Sequence, residues 1–81
     1  MEPVEWDLGT PSDESFESFF ESHHARLLGA LAVMGRNRSE AEEVMQDAFL
    51  KVWERWDRVA AMDDPVGYLY RTAMKIGRAH V

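Results

Sequence analysis

The sequence predicts an all-α fold, a small bundle of three helices that share one core. Three segments carry apolar residues at spacings of three and four, which is the period of an α-helix. A helix-start signal precedes each segment, and the sequence contains no internal repeat or low-complexity tract. With 81 residues, 46% of them hydrophobic, the chain allows one small domain near the lower size limit for a single core.

The first helix is predicted to follow an acidic leader, residues 1–12, which we expect to be mostly coil. Thr10 is a candidate cap, and Pro11 suits the first position of a helix. The turn at residues 35–38, which starts with Gly35, should end the helix. Its predicted inward face comprises Phe16, Phe19, Phe20, Leu27, Ala30, Leu31 and Met34.

The second helix is predicted to begin at Ser39, where Ser39 and Glu42 fit a capping box, and to run to about Asp57. One face is apolar and should be buried: Ala41, Val44, Met45, Ala48, Phe49, Val52 and Trp56. The opposite face is polar except for Leu50, which lies among Glu43, Gln46, Asp47 and Glu54. An apolar residue that points away from its own core predicts a binding partner.

The third helix is predicted to begin after the loop 58–63, with Asp64 as its cap and Pro65 in its first turn. Its inward residues should be Val66, Leu69, Tyr70 and Ala73. The opposite face then carries Tyr68, Arg71 and Lys75. An aromatic ring among cations suits unpaired DNA, because cations neutralise phosphates and the ring stacks on a base. The same pattern also fits a solvated helix face that holds a tyrosine.

The net charge of −6 is concentrated at the amino terminus. Residues 1–22 hold seven acids and no base, whereas residues 23–81 hold eight acids and nine bases. The leader is typical of a solvated tail, with a nucleic-acid mimic or regulatory arm as the alternative. The chain has no cysteine and no apolar run long enough to span a bilayer, which fits a protein of the reducing cytoplasm.

No pattern in the sequence predicts catalysis, a metal site or a cofactor. His23 and His24 lie on or beside the apolar stripe of the first helix and lack the spacing of a metal motif, so we expect them to pack or cap. Trp53 and Trp56 adjoin the core stripe, and packing explains them as well. The acids around Glu42 have no nucleophile or phosphate loop beside them.

The second helix resembles the polymerase-binding helix of bacterial sigma factors, specifically region 2 of the small extracytoplasmic-function type. That family's pattern is Ala-Glu-Asp-Leu-Val-Gln-Asp-x-Phe-Leu-x-x-Trp. Seven residues here fall in register with it: Ala41, Glu42, Gln46, Asp47, Phe49, Leu50 and Trp53. The family's Asp-Pro-x-x-Tyr/Trp-Leu-Tyr-Arg segment corresponds to residues 64–71, and the resemblance covers about residues 15–75.

The resemblance implies a sigma region 2-like bundle over residues 13–75 that binds two partners, core RNA polymerase and the non-template strand of the promoter −10 element. An anti-sigma factor is a further regulatory partner that it admits. Polymerase contacts at the clamp helices of the largest subunit are implied for Glu43, Gln46, Asp47, Leu50, Lys51 and Glu54. DNA contacts are implied for Arg58, Asp64, Tyr68, Arg71 and Lys75. Met62 and Asp63, in the loop before the third helix, are further candidates. Lys75 replaces the family's usual asparagine, so phosphate binding is its expected role.

The alternative function is a helical module that binds another protein through Leu50 and never contacts DNA.

The last six residues, 76–81, read Ile-Gly-Arg-Ala-His-Val, which a common sequencing-library adapter would encode in frame. We expect this tail to be non-native, and Gly77 is a candidate end of the third helix.

Overall fold

The computed structural model describes residues 13–79, which form four helices. These are α1 (Asp13–Val33), α2 (Arg38–Glu54), α3 (Trp56–Val59) and α4 (Pro65–Ala79). No strand occurs within that range, so the predicted all-α class is confirmed, with one short helix more than expected. The leader and the predicted helix start at Thr10 and Pro11 lie outside the described residues.

The core is organised around α2, which packs against α1 on one side and against α4 on the other. All seven residues of its predicted core face are buried, and four of them, Ala41, Val44, Ala48 and Val52, have no exposed surface. Leu27 and Leu31 of α1 and Leu69 and Ala73 of α4 complete the centre of the core. The periodicity of the second helix therefore identified its buried face correctly.

The carboxyl-terminal end of α1 departs from the predicted apolar stripe at one residue. Met34 lies in the turn that follows Val33, and 57% of its surface is exposed, so its predicted place on the inward face is wrong. The chain reverses at Gly35, which has a φ of +96° that side chains with a Cβ rarely adopt. The Met34 amide still donates a hydrogen bond to the Ala30 carbonyl at 3.1 Å, so residue 34 lies at the very end of the helix, beside this turn.

The start of α2 corrects the predicted capping box. Asn37, rather than Ser39, is the cap, since its Oδ1 accepts a hydrogen bond from the Glu40 amide at 2.8 Å. Glu42 instead pairs with Arg38, with 3.1 Å between Oε2 and Nε, as i, i+4 partners on an exposed helix face. The helix begins one residue earlier than predicted, which places Ser39 inside its first turn.

The end of α2 is also earlier than predicted. The helix stops at Glu54, Arg55 leaves the helical region with φ −123° and ψ 27°, and α3 begins at Trp56. Trp56 and Val59 are both buried, and the change of direction at Arg55 accompanies their packing into the core. Arg58 therefore lies on a short helix, which corrects its predicted place in a loop.

The start of α4 confirms the predicted cap, because Asp64 Oδ1 accepts a hydrogen bond from the Gly67 amide at 2.9 Å. A Cβ added to Gly67 would lie 2.8 Å from Asp64 Cγ, so glycine leaves room for the capping side chain.

At the other end, α4 continues through Gly77 to Ala79, and the predicted stop at Gly77 is wrong. The Gly77 carbonyl accepts a hydrogen bond from Arg36 Nη2, and Ile76 packs against the core.

None of these helices is long and apolar enough to cross a membrane. The adapter origin of residues 76–81 stays a prediction about the gene.

Candidate binding surfaces on the central helix

The exposed side of α2 divides into an outer face and two grooves. The outer face carries Glu43, Asp47, Leu50 and Glu54, all of them exposed. A groove between α1 and α2 lies on one side of this face, and a groove between α2 and α4 lies on the other. The α2 residues of the two grooves differ sharply in chemistry.

The groove between α1 and α2, called here the apolar groove, is open and encloses about 440 Å³. It is lined by Phe16, Glu17, Phe20, Gln46, Phe49, Leu50 and Trp53. Leu50 is 54% exposed and Trp53 is 42% exposed, so two large apolar side chains meet solvent one helical turn apart. The predicted outward position of Leu50 is confirmed.

Aromatic packing forms the wall of the apolar groove. The Phe16 ring lies 5.1 Å from the Trp53 ring and 6.2 Å from the Phe49 ring, in both cases edge to face. Phe20 meets Phe49 at 4.8 Å in a similar arrangement. Such pairs contribute about 0.5–1.5 kcal/mol each beyond the area they bury. Trp53 thus packs as predicted, but it also presents surface to the groove.

The groove between α2 and α4, called here the polar groove, encloses about 230 Å³. It is lined by Lys51, Glu54, Arg55, Tyr68, Thr72 and Lys75. Three cations face one carboxylate in it, so its lining is net positive. Two of the predicted DNA-binding residues, Tyr68 and Lys75, come together here.

The face of α4 differs in detail from the prediction. Tyr68 is half-buried and packs against the core cluster, so it does not point fully outward. Arg71 is exposed but does not line the polar groove, where Thr72 takes the corresponding position. The Thr72 hydroxyl donates a hydrogen bond to the Tyr68 carbonyl at 2.8 Å. The structure therefore groups Tyr68, Thr72 and Lys75, with Arg71 at the edge of this face.

The remaining predicted DNA-binding residues lie outside the polar groove, although Asp64 is one helical turn before Tyr68 and its carbonyl accepts a hydrogen bond from the Tyr68 amide at 3.2 Å. Arg58 lines a neighbouring cleft of about 420 Å³, together with Glu54, Arg55 and Asp57. Asp64 is exposed, and one of its carboxylate oxygens caps α4. Met62 and Asp63 are exposed in the loop before α4.

The two histidines pack against aromatic rings of their own helix, as predicted. The His24 ring stacks on Phe20 at 4.6 Å with an interplanar angle of 1°, and its Nδ1 lies 2.9 Å from the Phe20 carbonyl oxygen. The His23 ring lies 4.8 Å from that of Phe19. Within residues 13–79, no group of three or more His, Cys, Asp or Glu side chains could hold a metal ion.

Sequence reasoning missed Arg55 and Thr72 as site residues. Arg55 follows Lys51 by four residues, and Thr72 follows Tyr68 by four. On a helix this spacing predicts the same face, so each was expected beside a predicted site residue. That spacing was the available signal. Arg55 lines both the polar groove and the cleft beside Arg58.

Comparison with known proteins identifies the family of this fold. Neither the curated proteins nor the solved structures include a significant match to the chain. The family model of sigma-70 region 2 matches residues 19–76, which span α2, α3 and most of α1 and α4. This region is a non-enzymatic transcription-factor domain, and its family implies a role in transcription initiation with core RNA polymerase and promoter DNA. The chain belongs to the sigma-70 region 2 family.

Proposed function

We propose that this chain is region 2 of an extracytoplasmic-function sigma factor, which acts in the cytoplasm by binding core RNA polymerase and the −10 element. The observation that carries the proposal is the exposed Leu50 on the outer face of α2. Its neighbours at positions 48, 49 and 52 are buried, whereas Leu50 is 54% exposed. Leu50 forms a contiguous apolar patch with Trp53, which is 42% exposed and lines the same groove, and such a patch is typical of a protein-binding site.

The polymerase-binding face comprises Glu43, Gln46, Asp47, Leu50, Lys51 and Glu54. Leu50 is its apolar centre, and the adjoining apolar groove extends this centre to Trp53. Charged and polar side chains form the rim. This arrangement matches the usual anatomy of a protein interface, in which an apolar core is surrounded by a polar, solvent-accessible rim. The partner surface is the pair of clamp helices of the polymerase's largest subunit.

The DNA-binding face comprises Arg58, Asp64, Tyr68, Arg71 and Lys75. Its expected ligand is the unpaired non-template strand of the −10 element. The Tyr68 ring offers a surface on which a base stacks, worth about 1–3 kcal/mol per base. Arg71 and Lys75 are exposed cations on the same helix, suited to backbone phosphates. An anti-sigma factor would regulate the domain by covering either face.

The mechanism needs no bond chemistry in this domain. Unpaired bases that stack on the protein and phosphates that meet its cations favour the open state of the promoter. This binding energy offsets the cost of unpairing, which is a few kcal/mol for each base taken out of the stack. Polymerase, held on the adjoining outer face of α2, carries out the catalysis.

The test is a pull-down of the chain with core RNA polymerase, comparing the wild type with Leu50→Glu. Binding by the wild type that the substitution removes supports a sigma-type contact. If a folded wild type does not bind polymerase at all, the proposal fails. The chain would then be better explained as a helical module that binds another protein without contacting DNA.

A further inference from the structure

We propose that residues 4–8 of the leader, Val-Glu-Trp-Asp-Leu, dock in the apolar groove between α1 and α2 of the same chain. These five residues are called here the docking segment. The contact is made within the chain, so it goes beyond the proposed function. It bears on that function at one point, since the groove includes Gln46 and Leu50 of the polymerase-binding face.

The apolar groove has the chemistry of a surface that gains from being covered. Five of its seven lining residues are apolar, namely Phe16, Phe20, Phe49, Leu50 and Trp53. Covering exposed apolar surface is favourable roughly in proportion to the area removed from water. The volume of about 440 Å³ falls within the roughly 300–1,000 Å³ of ordinary ligand pockets, so the groove has room for an indole ring.

The leader joins the fold at one end of the apolar groove. Helix α1 begins at Asp13, and Phe16 in its first turn already lines the groove. The Phe16 ring lies 5.1 Å from the Trp53 ring, and the Phe20 ring lies 4.8 Å from the Phe49 ring. Residue numbers therefore rise along α1 as they fall along α2. The leader enters at the Trp53 end, and the rest of the groove extends away from that point.

The length of the leader fits the length of the groove. From Trp53 to Gln46 the groove follows α2 for seven residues, or about 10 Å. The docking segment spans about 13 Å when extended. Residues 9–12 connect it to α1 and reach at most about 14 Å, which is enough for the chain to turn back over the groove. They include a glycine and a proline, two residues that favour turns.

The pattern of the docking segment suits one apolar wall and one side in water. Its apolar residues, Val4, Trp6 and Leu8, alternate with the acids Glu5 and Asp7. In an extended chain, alternate side chains point to opposite sides. All three apolar side chains can therefore face the groove while both carboxylates stay hydrated, so docking does not bury a charge.

The covalent connection makes even weak docking effective. A short flexible linker gives an effective concentration on the order of 1 mM, so an intrinsic Kd on the order of 0.1 mM favours the docked state about tenfold. The acids of the segment and Glu17 in the groove lining repel each other, which keeps the docking reversible. Polymerase must displace the docked segment, and a tenfold preference for docking weakens its apparent affinity by about tenfold.

A pair of introduced cysteines tests the contact in the full chain, which has no cysteine of its own. The order of the segment places residue 4 beside Gln46, at the far end of the groove. A disulfide needs Cβ atoms about 3.5–4.5 Å apart, so Val4→Cys with Gln46→Cys should close readily under mild oxidation. Mass spectrometry of the non-reduced monomer measures the rate.

Val4→Cys with Ser22→Cys is the matched control pair. Ser22 is exposed and lines neither groove. It lies about 200° around α1 from Phe20, on the other side of the helix but close to the level of Gln46. A leader that does not dock would reach the two positions alike. We expect the Gln46 pair to close about tenfold faster than the control pair, in line with the preference for docking.

Trp6 should carry the difference between the two pairs. Adding Trp6→Ser to the Gln46 pair should lower its rate to that of the control pair, whereas Trp6→Phe should retain most of the difference. Circular dichroism should show that every variant is folded. Equal rates for the two pairs without a change at Trp6 would overturn the proposal. Disulfides formed mainly between two chains would overturn it as well, because the groove would then take the leader of a second copy.

The effect on polymerase is measured separately in the chain without cysteines. Trp6→Ser should raise affinity for core polymerase by about tenfold, and Trp6→Phe should change it little. Unchanged affinity in Trp6→Ser would show that the leader does not compete with polymerase. If the wild type does not bind polymerase, the proposed function fails, and the cysteine pairs still decide whether the leader docks.

Discussion

The two grooves of α2 have opposite chemistry although the same helix forms both. On the α1 side, α2 contributes Gln46, Phe49, Leu50 and Trp53. On the α4 side it contributes Lys51 and Glu54, and Arg55 follows where the helix ends. Consecutive residues of a helix are about 100° apart, so Leu50 and Lys51 line different grooves although they are neighbours in sequence. A single helix can therefore present a protein-binding side and a nucleic-acid-binding side at once.

The difference between the grooves should appear in how each partner's affinity responds to salt. The free energy gained when apolar surface is buried depends mainly on the area removed from water and not on charge. Binding to phosphates releases counterions and weakens steeply as salt rises. We therefore expect polymerase binding through the apolar centre to be less sensitive to salt than strand binding in the polar groove.

The largest expected effect is that of Leu50→Glu on polymerase affinity. Truncation of a hot-spot residue near the centre of an interface costs about 2 kcal/mol or more, and a buried, unpaired carboxylate adds to this cost. We expect affinity for core polymerase to fall by a factor of 30 or more, since about 1.4 kcal/mol corresponds to tenfold. Titration of labelled chain with core polymerase measures it.

Val33→Glu is the matched control for this change. Val33 is an apolar residue on α1 with 87% of its surface exposed, and it lines neither groove. Its substitution should change polymerase affinity and stability little, within about 0.5 kcal/mol for an ordinary surface site. Equal losses of polymerase affinity in the two variants would mean that the added negative charge, rather than the loss of the Leu50 surface, weakens binding. Loss of helicity in Leu50→Glu would place Leu50 in the core.

A smaller effect is expected from Tyr68→Ala combined with Arg71→Ala, which should reduce affinity for −10 strand DNA and spare polymerase binding. Loss of one stacking contact costs about 1–3 kcal/mol. Tyr68→Phe, which keeps the ring, should retain most of the affinity. Fluorescence anisotropy with labelled single-stranded DNA measures the change. The measurement is made below the melting temperature of the variant protein, because Tyr68 is half-buried and its removal lowers the stability of the fold. Unchanged strand affinity in the double variant would remove this face of α4 from the DNA-binding surface.

The smallest expected effect is that of Glu54→Gln, which should move the two affinities in opposite directions. Removal of a carboxylate from the polar groove should strengthen strand binding modestly, by about 0.2–1 kcal/mol for an exposed charge. Removal of the same carboxylate from the polymerase rim should weaken polymerase binding. Both affinities are measured on one protein preparation. A change of the same sign in both would show that Glu54 does not separate the two surfaces.

Much of the fold could be predicted because apolar periodicity is a strong signal. The buried face of α2 followed from spacing alone, and the Asp64 cap followed from the Asp-Pro pair before α4. The signals failed where two local choices compete. Asn37 and Ser39 are both good caps, and only the structure shows that Asn37 receives the Glu40 amide. The break at Arg55 depends on how Trp56 and Val59 pack, which no local pattern records.

The candidate site could be predicted in part for a related reason. Residues on a single helix face, such as Leu50, followed from periodicity, but a groove between two helices depends on their packing. Arg55 and Thr72 come together only because α2 and α4 lie side by side. The sequence also placed Tyr68 entirely on the outer face of α4, although the structure packs it partly against the core.

The most direct test of two separate surfaces on α2 is photo-crosslinking in the complex of this chain with core polymerase and single-stranded −10 DNA. A photoreactive phenylalanine analogue is placed at Leu50 in one sample and at Thr72 in another. Thr72 lines the polar groove, and no binding role is assigned to it. The account predicts that position 50 crosslinks to the largest polymerase subunit and position 72 to DNA. Crosslinks from both positions to the same partner would contradict it.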